Sequence, residues 1–147
     1  MKLVVLIISL FVLVPVTDTE KSLDWHTDLE KAKKIAGSEK KNILVYFTGS
    51  DWCGPCIQLK KDLFETSEFQ ELSSEYVLVY IDIPRNKDLV SKNQMEHNKA
   101  VFSKLNKKGV FPLFVALDRK GNVLDEYSGY SMNGEIGYHL DFLKRNQ

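Results

Sequence analysis

The chain has 147 residues, with 20 Lys and Arg against 20 Asp and Glu, so it carries no formal net charge and fits one ordinary domain rather than two. At 44% hydrophobic and 27% charged it can bury a core, which excludes a disordered or collagen-like chain, and its neutrality argues against nucleic-acid binding by bulk charge. Its two cysteines exclude a framework of several disulfides, so their positions, 53 and 56, carry the interest.

Lys2 precedes an apolar run from Leu3 to Val14, broken only by Ser9 and followed by Pro15 and the polar stretch Thr17 to Lys21. The pattern reads as a secretory signal over residues 1–19, cleaved near Val16 to Thr19, with a domain over 20–147. It is shorter than the about 20 apolar residues of a membrane-spanning helix. Losing it removes Lys2 and Asp18, one charge of each sign, so the remainder stays neutral. The implied location is exported, in a bacterial periplasm or secreted, where disulfides persist.

Trp25, Leu29, Ala32 and Ala36 recur at helical spacing, predicting an amphipathic helix from about Asp24 to Ala36 that ends at Gly37. The lysines at 31, 33, 34, 40 and 41 read as a solvated face. Ile43 to Phe47 is a short apolar run of β formers, a strand buried on both faces, and Thr48 to Trp52 is a loop. Cys53, Cys56, Leu59 and Leu63 then repeat at helical spacing to about Phe64, and Ser67 to Leu72 adds a short helical turn. Tyr76 to Ile83 predicts a second buried strand, Asn93 to Leu105 a helix, and Phe111 to Leu117 a third strand. Asp118 to Asn122 is turn chemistry leading to a hairpin strand over Val123 to Tyr127, and Ile136, Leu140 and Leu143 mark a last helix. This order predicts an α/β fold: a central mixed sheet of about four strands flanked by helices, with an N-terminal helix.

The chemistry is concentrated in Trp52-Cys53-Gly54-Pro55-Cys56, where a buried strand turns into a helix. A helix N-terminus offers unpaired N–H groups and partial positive charge, both favouring thiolate over thiol. Cys53 is placed to be the exposed nucleophile, and Cys56, one turn on and more buried, to be the resolving thiol. Pro55 suits a first-turn position, where its missing N–H has no helical partner. A static structural disulfide is the weaker reading, because so small a loop removes little entropy from the unfolded chain. His26, His97 and His139 stand in no paired spacing, so no metal site is expected and they receive no role. Trp52 is expected to be partly exposed, with Gly54 and Pro55 as support of the active site.

These features resemble the thioredoxin superfamily: WCGPC after a buried strand, and the Phe111-Pro112 pair opening the third strand. The stretch from Lys41 to Cys53, with Asp82-Ile83-Pro84 after the second strand, is most similar to exported bacterial thioredoxin-like proteins and to the periplasmic domain of membrane thiol:disulfide interchange proteins. The resemblance implies a thioredoxin fold over the chain from about Trp25 onward, a cis Pro112 beside the dithiol, and a Phe111 backbone that pairs with bound substrate. It implies a thiol-disulfide oxidoreductase with no organic cofactor, only the redox-active disulfide Cys53–Cys56. Its substrates are disulfide-bonded proteins, reduced outside the cytoplasm. The implied partner is a membrane-embedded electron donor, with no nucleic acid, and the protein is expected to be a monomer. A disulfide oxidase or isomerase, or a non-catalytic peptide-binding module on the same fold, are the alternatives. One feature departs from the superfamily: many cytosolic thioredoxins bury an Asp in the strand before the motif, whereas Ile43 to Phe47 has no acid and Tyr46 falls near that position. The Cys56 proton must then pass to water, to a group such as Asp82, or to substrate, and a slower resolving step is expected.

Overall fold

Side chains alternate across a β-strand, so a strand apolar on both faces must be covered on both. Asn42–Thr48 (β2) meets that condition and lies centrally in a five-stranded sheet. The computed structural model describes residues 23–147; the expected signal over 1–19 lies outside the described residues. In chain order the elements are β1 (Trp25–His26), α1 (Leu29–Glu39), β2, α2 (Gly54–Leu59) running into a π-helical turn (Lys60–Phe64), α3 (Ser67–Ser73) and β3 (Tyr76–Asp82). They continue with α4 (Lys92–Leu105), β4 (Leu113–Leu117), β5 (Val123–Ser128) and α5 (Gly137–Arg145).

The sheet order is β1-β3-β2-β4-β5. β1, β3 and β2 are parallel, while β4 runs antiparallel to β2, and β5 to β4. Alternation separates two cores. Ile43, Val45 and Phe47 of β2 face α1 and α4 with Val77, Val79, Ile81, Val115 and Leu117. Leu44 and Tyr46 face α2, α3 and α5 among Phe64, Phe69, Phe114 and Phe142.

The expected mixed sheet is present and gains a fifth strand at its β3 edge. Trp25 belongs to that strand, paired with Leu78, and not to the first helix. The helix starts after Asp28, whose carboxylate accepts from the Lys31 N–H at 3.0 Å. Spacing alone put Trp25 on the helical stripe, but its ring stacks on Phe69 and packs at a tilt against Phe64 in the second core. The helix also runs through Gly37 and stops at Lys40, which takes a left-handed φ of 59°. A helical glycine costs only about 1 kcal/mol relative to alanine, so tertiary packing overrides it.

Candidate functional site

The site begins where β2 ends. Gly49 accepts the Cys53 N–H at 2.8 Å and the Trp52 N–H at 3.1 Å, a tight turn that aims the chain into α2. A Cβ on Gly49 would lie 2.3 Å from the Trp52 indole, so the close approach requires glycine.

Cys53 is the N-cap of α2, with an extended backbone, and its sulfur accepts the Cys56 N–H at 3.3 Å. Gly54 and Pro55 form the first turn, Pro55 without the N–H that has no helical partner there. The two cysteines are joined in a disulfide with an S–S distance of 2.03 Å. Exposure departs from expectation: Cys53 is only 5% accessible and Cys56 1%. In the disulfide form Cys53 is drawn against its own helix as the cap, so neither sulfur stands out into solvent.

Trp52 is half-buried, as expected, and braced from three sides. Its indole N–H donates to the Ile83 carbonyl at 2.8 Å. Its ring meets Phe111 edge-on at 5.2 Å, and the Arg85 guanidinium lies 4.9 Å over it. Phe111 stacks in turn on Phe102 of α4. The Phe111–Pro112 peptide bond is cis, and the Pro112 carbonyl accepts from Gly129 at 2.9 Å. The β4 ladder begins only at Leu113, which leaves the Phe111 main chain outside it. Of the residues expected from the sequence, Trp52 to Cys56 form one continuous turn, and the Trp52–Phe111 contact joins that turn to the Phe111–Pro112 segment.

Other residues hold the turn and were not singled out for that role. Asp51 accepts from the Asn86 N–H at 2.8 Å and the Arg85 N–H at 2.9 Å, and these donors hold its carboxyl below the usual carboxylate range. Asp82 accepts from Ser50 through its N–H at 2.9 Å and its hydroxyl at 2.5 Å. Asp82 thus anchors the loop before the cysteines. Asn98 of α4 donates to the Asp82 carbonyl at 2.8 Å, fixing the strand end from the other face. The sequence signal was available in Gly49-Ser50-Asp51 and Asp82-Ile83-Pro84, two segments that turn out to be bonded to each other.

Below the disulfide, the Tyr46 hydroxyl donates to the Cys56 carbonyl at 3.3 Å. Burial pushes the ionisation of this phenol well up, so it remains a donor at neutral pH. Among the described residues, no group of three or more His, Cys, Asp or Glu is placed to hold a metal ion. What the arrangement provides chemically is a two-electron couple, dithiol and disulfide, at the end of a rigid strand.

The chain matches the family described as Thioredoxin-like domain over residues 29–144. It is similar to the disulfide bond reductase DsbH of Chlamydia pneumoniae, 29% identical over 118 residues that cover 80% of this chain and 69% of that one. It is also 29% identical over 120 residues to the thioredoxin-related protein DsbJ of Chlamydia pneumoniae, covering 81% of this chain but 33% of DsbJ. The chain thus spans a third of the length of that relative. Among solved structures, a DsbH oxidoreductase has a TM-score of 0.67 at 26% identity, with 74% of each chain covered. The C-terminal domain of Neisseria meningitidis DsbD in its reduced form shares the fold, with a TM-score of 0.57 at 18% identity, covering 81% of this chain and 94% of that one.

Proposed function

The chain belongs to the thioredoxin-like family, whose disulfide oxidoreductase members carry such a cysteine pair, and from that premise we propose that it reduces disulfides of exported proteins. The observation that carries this reading is the Cys53–Cys56 disulfide itself, set at the turn from β2 into α2 beside the Trp52–Phe111 contact. It closes too small a loop to serve stability.

In the reaction, the Cys53 thiolate attacks one sulfur of the substrate disulfide, and the other substrate sulfur leaves as a thiolate. Cys56 then loses its proton and attacks the Cys53 sulfur of the mixed disulfide, releasing the second substrate thiolate. Two electrons pass to the substrate, its two sulfurs take up protons, and the protein is left as the Cys53–Cys56 disulfide. Trp52, Gly54 and Pro55 hold the pair, and the Phe111 main chain is free to bond an extended substrate segment beside Pro112.

The reducing direction is supported by the Gly54-Pro55 pair and by DsbH, the relative named as a disulfide bond reductase. Export is supported by the apolar run Leu3 to Val14. A reductase in an oxidising compartment must be recharged with two electrons per turnover, so the reading includes a membrane-embedded dithiol donor. The test is the reduction potential of the Cys53–Cys56 pair, by equilibration in thiol buffers and counting alkylated cysteines by mass. A potential near about −270 mV is expected for a reductase, whereas one near about −120 mV would make the protein an oxidant.

A further inference from the structure

Between the end of β3 and the first turns of α4 lies a groove of about 450 Å³. Two residues of its lining touch the site: Ile83 through the Trp52 indole N–H, and Arg85 through the Trp52 ring. Its apolar lining is supplied by Ile83, Val90 and Met95, all half-buried, with Pro84. Around them stand Arg85, Lys87, Lys92 and Lys99, and Glu96 is the single acidic residue of the lining.

These four cations are exposed, and among the described residues none of them forms an ion pair. Cations such as Lys31, Lys34 and Lys104 are unpaired among the described residues as well, so what sets the groove apart is the grouping of four of them around an apolar lining. The nearby carboxylates of Asp51 and Asp82 are engaged by main-chain and Ser50 donors. Asp51, Asp82 and Asp88 keep their charge outside the lining, so the excess, four cations against one acid, is confined to the groove itself in a chain with 20 charges of each sign.

We propose that the groove docks the stretch of substrate flanking its disulfide and selects an acidic segment that carries an apolar side chain. The inference rests on the oxidoreductase reading above and specifies its substrate class. The apolar lining accepts the side chain, and the unpaired cations around it attract the carboxylates and steer the encounter. The concavity favours a protruding side chain of a polypeptide over a flat anionic lipid surface. Because Arg85 sits on both the groove and Trp52, a segment held there lies next to the cysteines.

The test uses the full chain and a short, cysteine-free peptide of Asp and Glu around one Leu, with binding followed by fluorescence anisotropy at low salt. The acidic peptide is expected to bind at least about tenfold tighter than its Lys-substituted counterpart. Lys87→Glu with Lys92→Glu and Lys99→Glu should reverse that order, and the same three positions changed to Gln should abolish the preference. Equal binding of both peptides, or an acidic preference that survives the triple reversal, overturns the proposal. Displacement of the peptide by phosphatidylglycerol vesicles but not by phosphatidylcholine vesicles also overturns it, assigning the cations to a lipid surface. In turnover, the same acidic stretch placed beside a disulfide should raise kcat/KM in the wild type and not in the reversed variant, with neutral hydroxyethyl disulfide reduced equally by both. If hydroxyethyl disulfide is not reduced at all, the oxidoreductase reading fails while the binding measurement still decides the groove.

Discussion

The two faces of the sheet use the same strands and different chemistry. Toward α1 and α4 the buried core is mostly aliphatic, with Ile43, Val45, Val79, Ile81 and Val115 closing it by shape, and Phe47, Phe102 and Phe111 forming a small aromatic cluster. Toward α2, α3 and α5 it is aromatic, and its rings carry polar tips that need partners. Tyr46 donates to the Cys56 carbonyl, Tyr76 to the Leu143 carbonyl at 2.6 Å, and Tyr130 to Asp62 of the π-helical turn. These bonds fasten the cysteine-bearing helix and α5 to particular points on the sheet, which aliphatic packing does not do. The aromatic face therefore fastens the cysteine-bearing helix, whereas the aliphatic face mainly supplies stability and reaches the site only at its edge, through Phe102, Phe111 and Asn98.

Breaking the aromatic face should have the largest effect. The Phe114 ring lies 5.0 Å from Tyr46, 5.7 Å from His139 and 6.3 Å from Phe142. Phe114→Ala is expected to cost about 3–5 kcal/mol in urea unfolding, and Val115→Ala, facing the other way from the next position, about 2 kcal/mol. The sharper comparison is chemical: Phe114→Ala should also speed reduction of the Cys53–Cys56 disulfide by dithiothreitol, because Tyr46 loses its support, whereas Val115→Ala should not. Equal acceleration in both variants would dissolve the distinction between the faces.

The aromatic face should also be the acid-sensitive one. His139 is 3% exposed among Tyr127, Tyr130 and Phe114, and its Nδ1 has no partner among the described residues. Burial drives its imidazole from 6.5 down to about 4. The unfolded chain takes up a proton below pH 6.5 while the folded one does not, so this stability is present above 6.5 and lost as pH falls toward 4. The loss amounts to about 3 kcal/mol when complete. Urea titrations between pH 7 and 4.5 should show this slope in the wild type and a flatter curve for His139→Leu. An unchanged slope would place the acid sensitivity elsewhere.

What was legible in the sequence was local. The runs Ile43 to Phe47 and Tyr76 to Ile83 had to be covered strands, Asp118 to Asn122 had to turn, and the cysteines had to begin a helix, because each follows from residues within a few positions. Trp25 misled because it satisfies the helical spacing to Leu29, Ala32 and Ala36, while the true start is the Asp28 cap. The loop anchors were hidden for a different reason. Asp51 reaches Arg85, and Ser50 reaches Asp82, across more than 30 residues, and they meet only because the β2–β3 register sets Thr48 beside Asp82. His139 stands on the apolar face of α5, but that it is sealed under three aromatic rings depends on β4, β5 and the following loop.

The smallest expected effect concerns the resolving step. Tyr46 lies on β2 beneath the disulfide, and its phenol is held protonated by burial and donates to the Cys56 carbonyl. A group that is already a donor cannot take the Cys56 proton. Asp82 has one carboxylate oxygen on the Ser50 N–H and the other on its hydroxyl, so it serves the loop. The proton is then left to water or to the departing substrate thiolate. Tyr46→Phe should accordingly cost about 1 kcal/mol of stability for the lost bond. It should leave the rate of mixed-disulfide resolution within about twofold, and its pH profile unmoved, in stopped-flow reduction of a protein disulfide. A tenfold slower step with a displaced profile would instead make Tyr46 part of the proton path, and the aromatic face would then take part in the chemistry as well as positioning it.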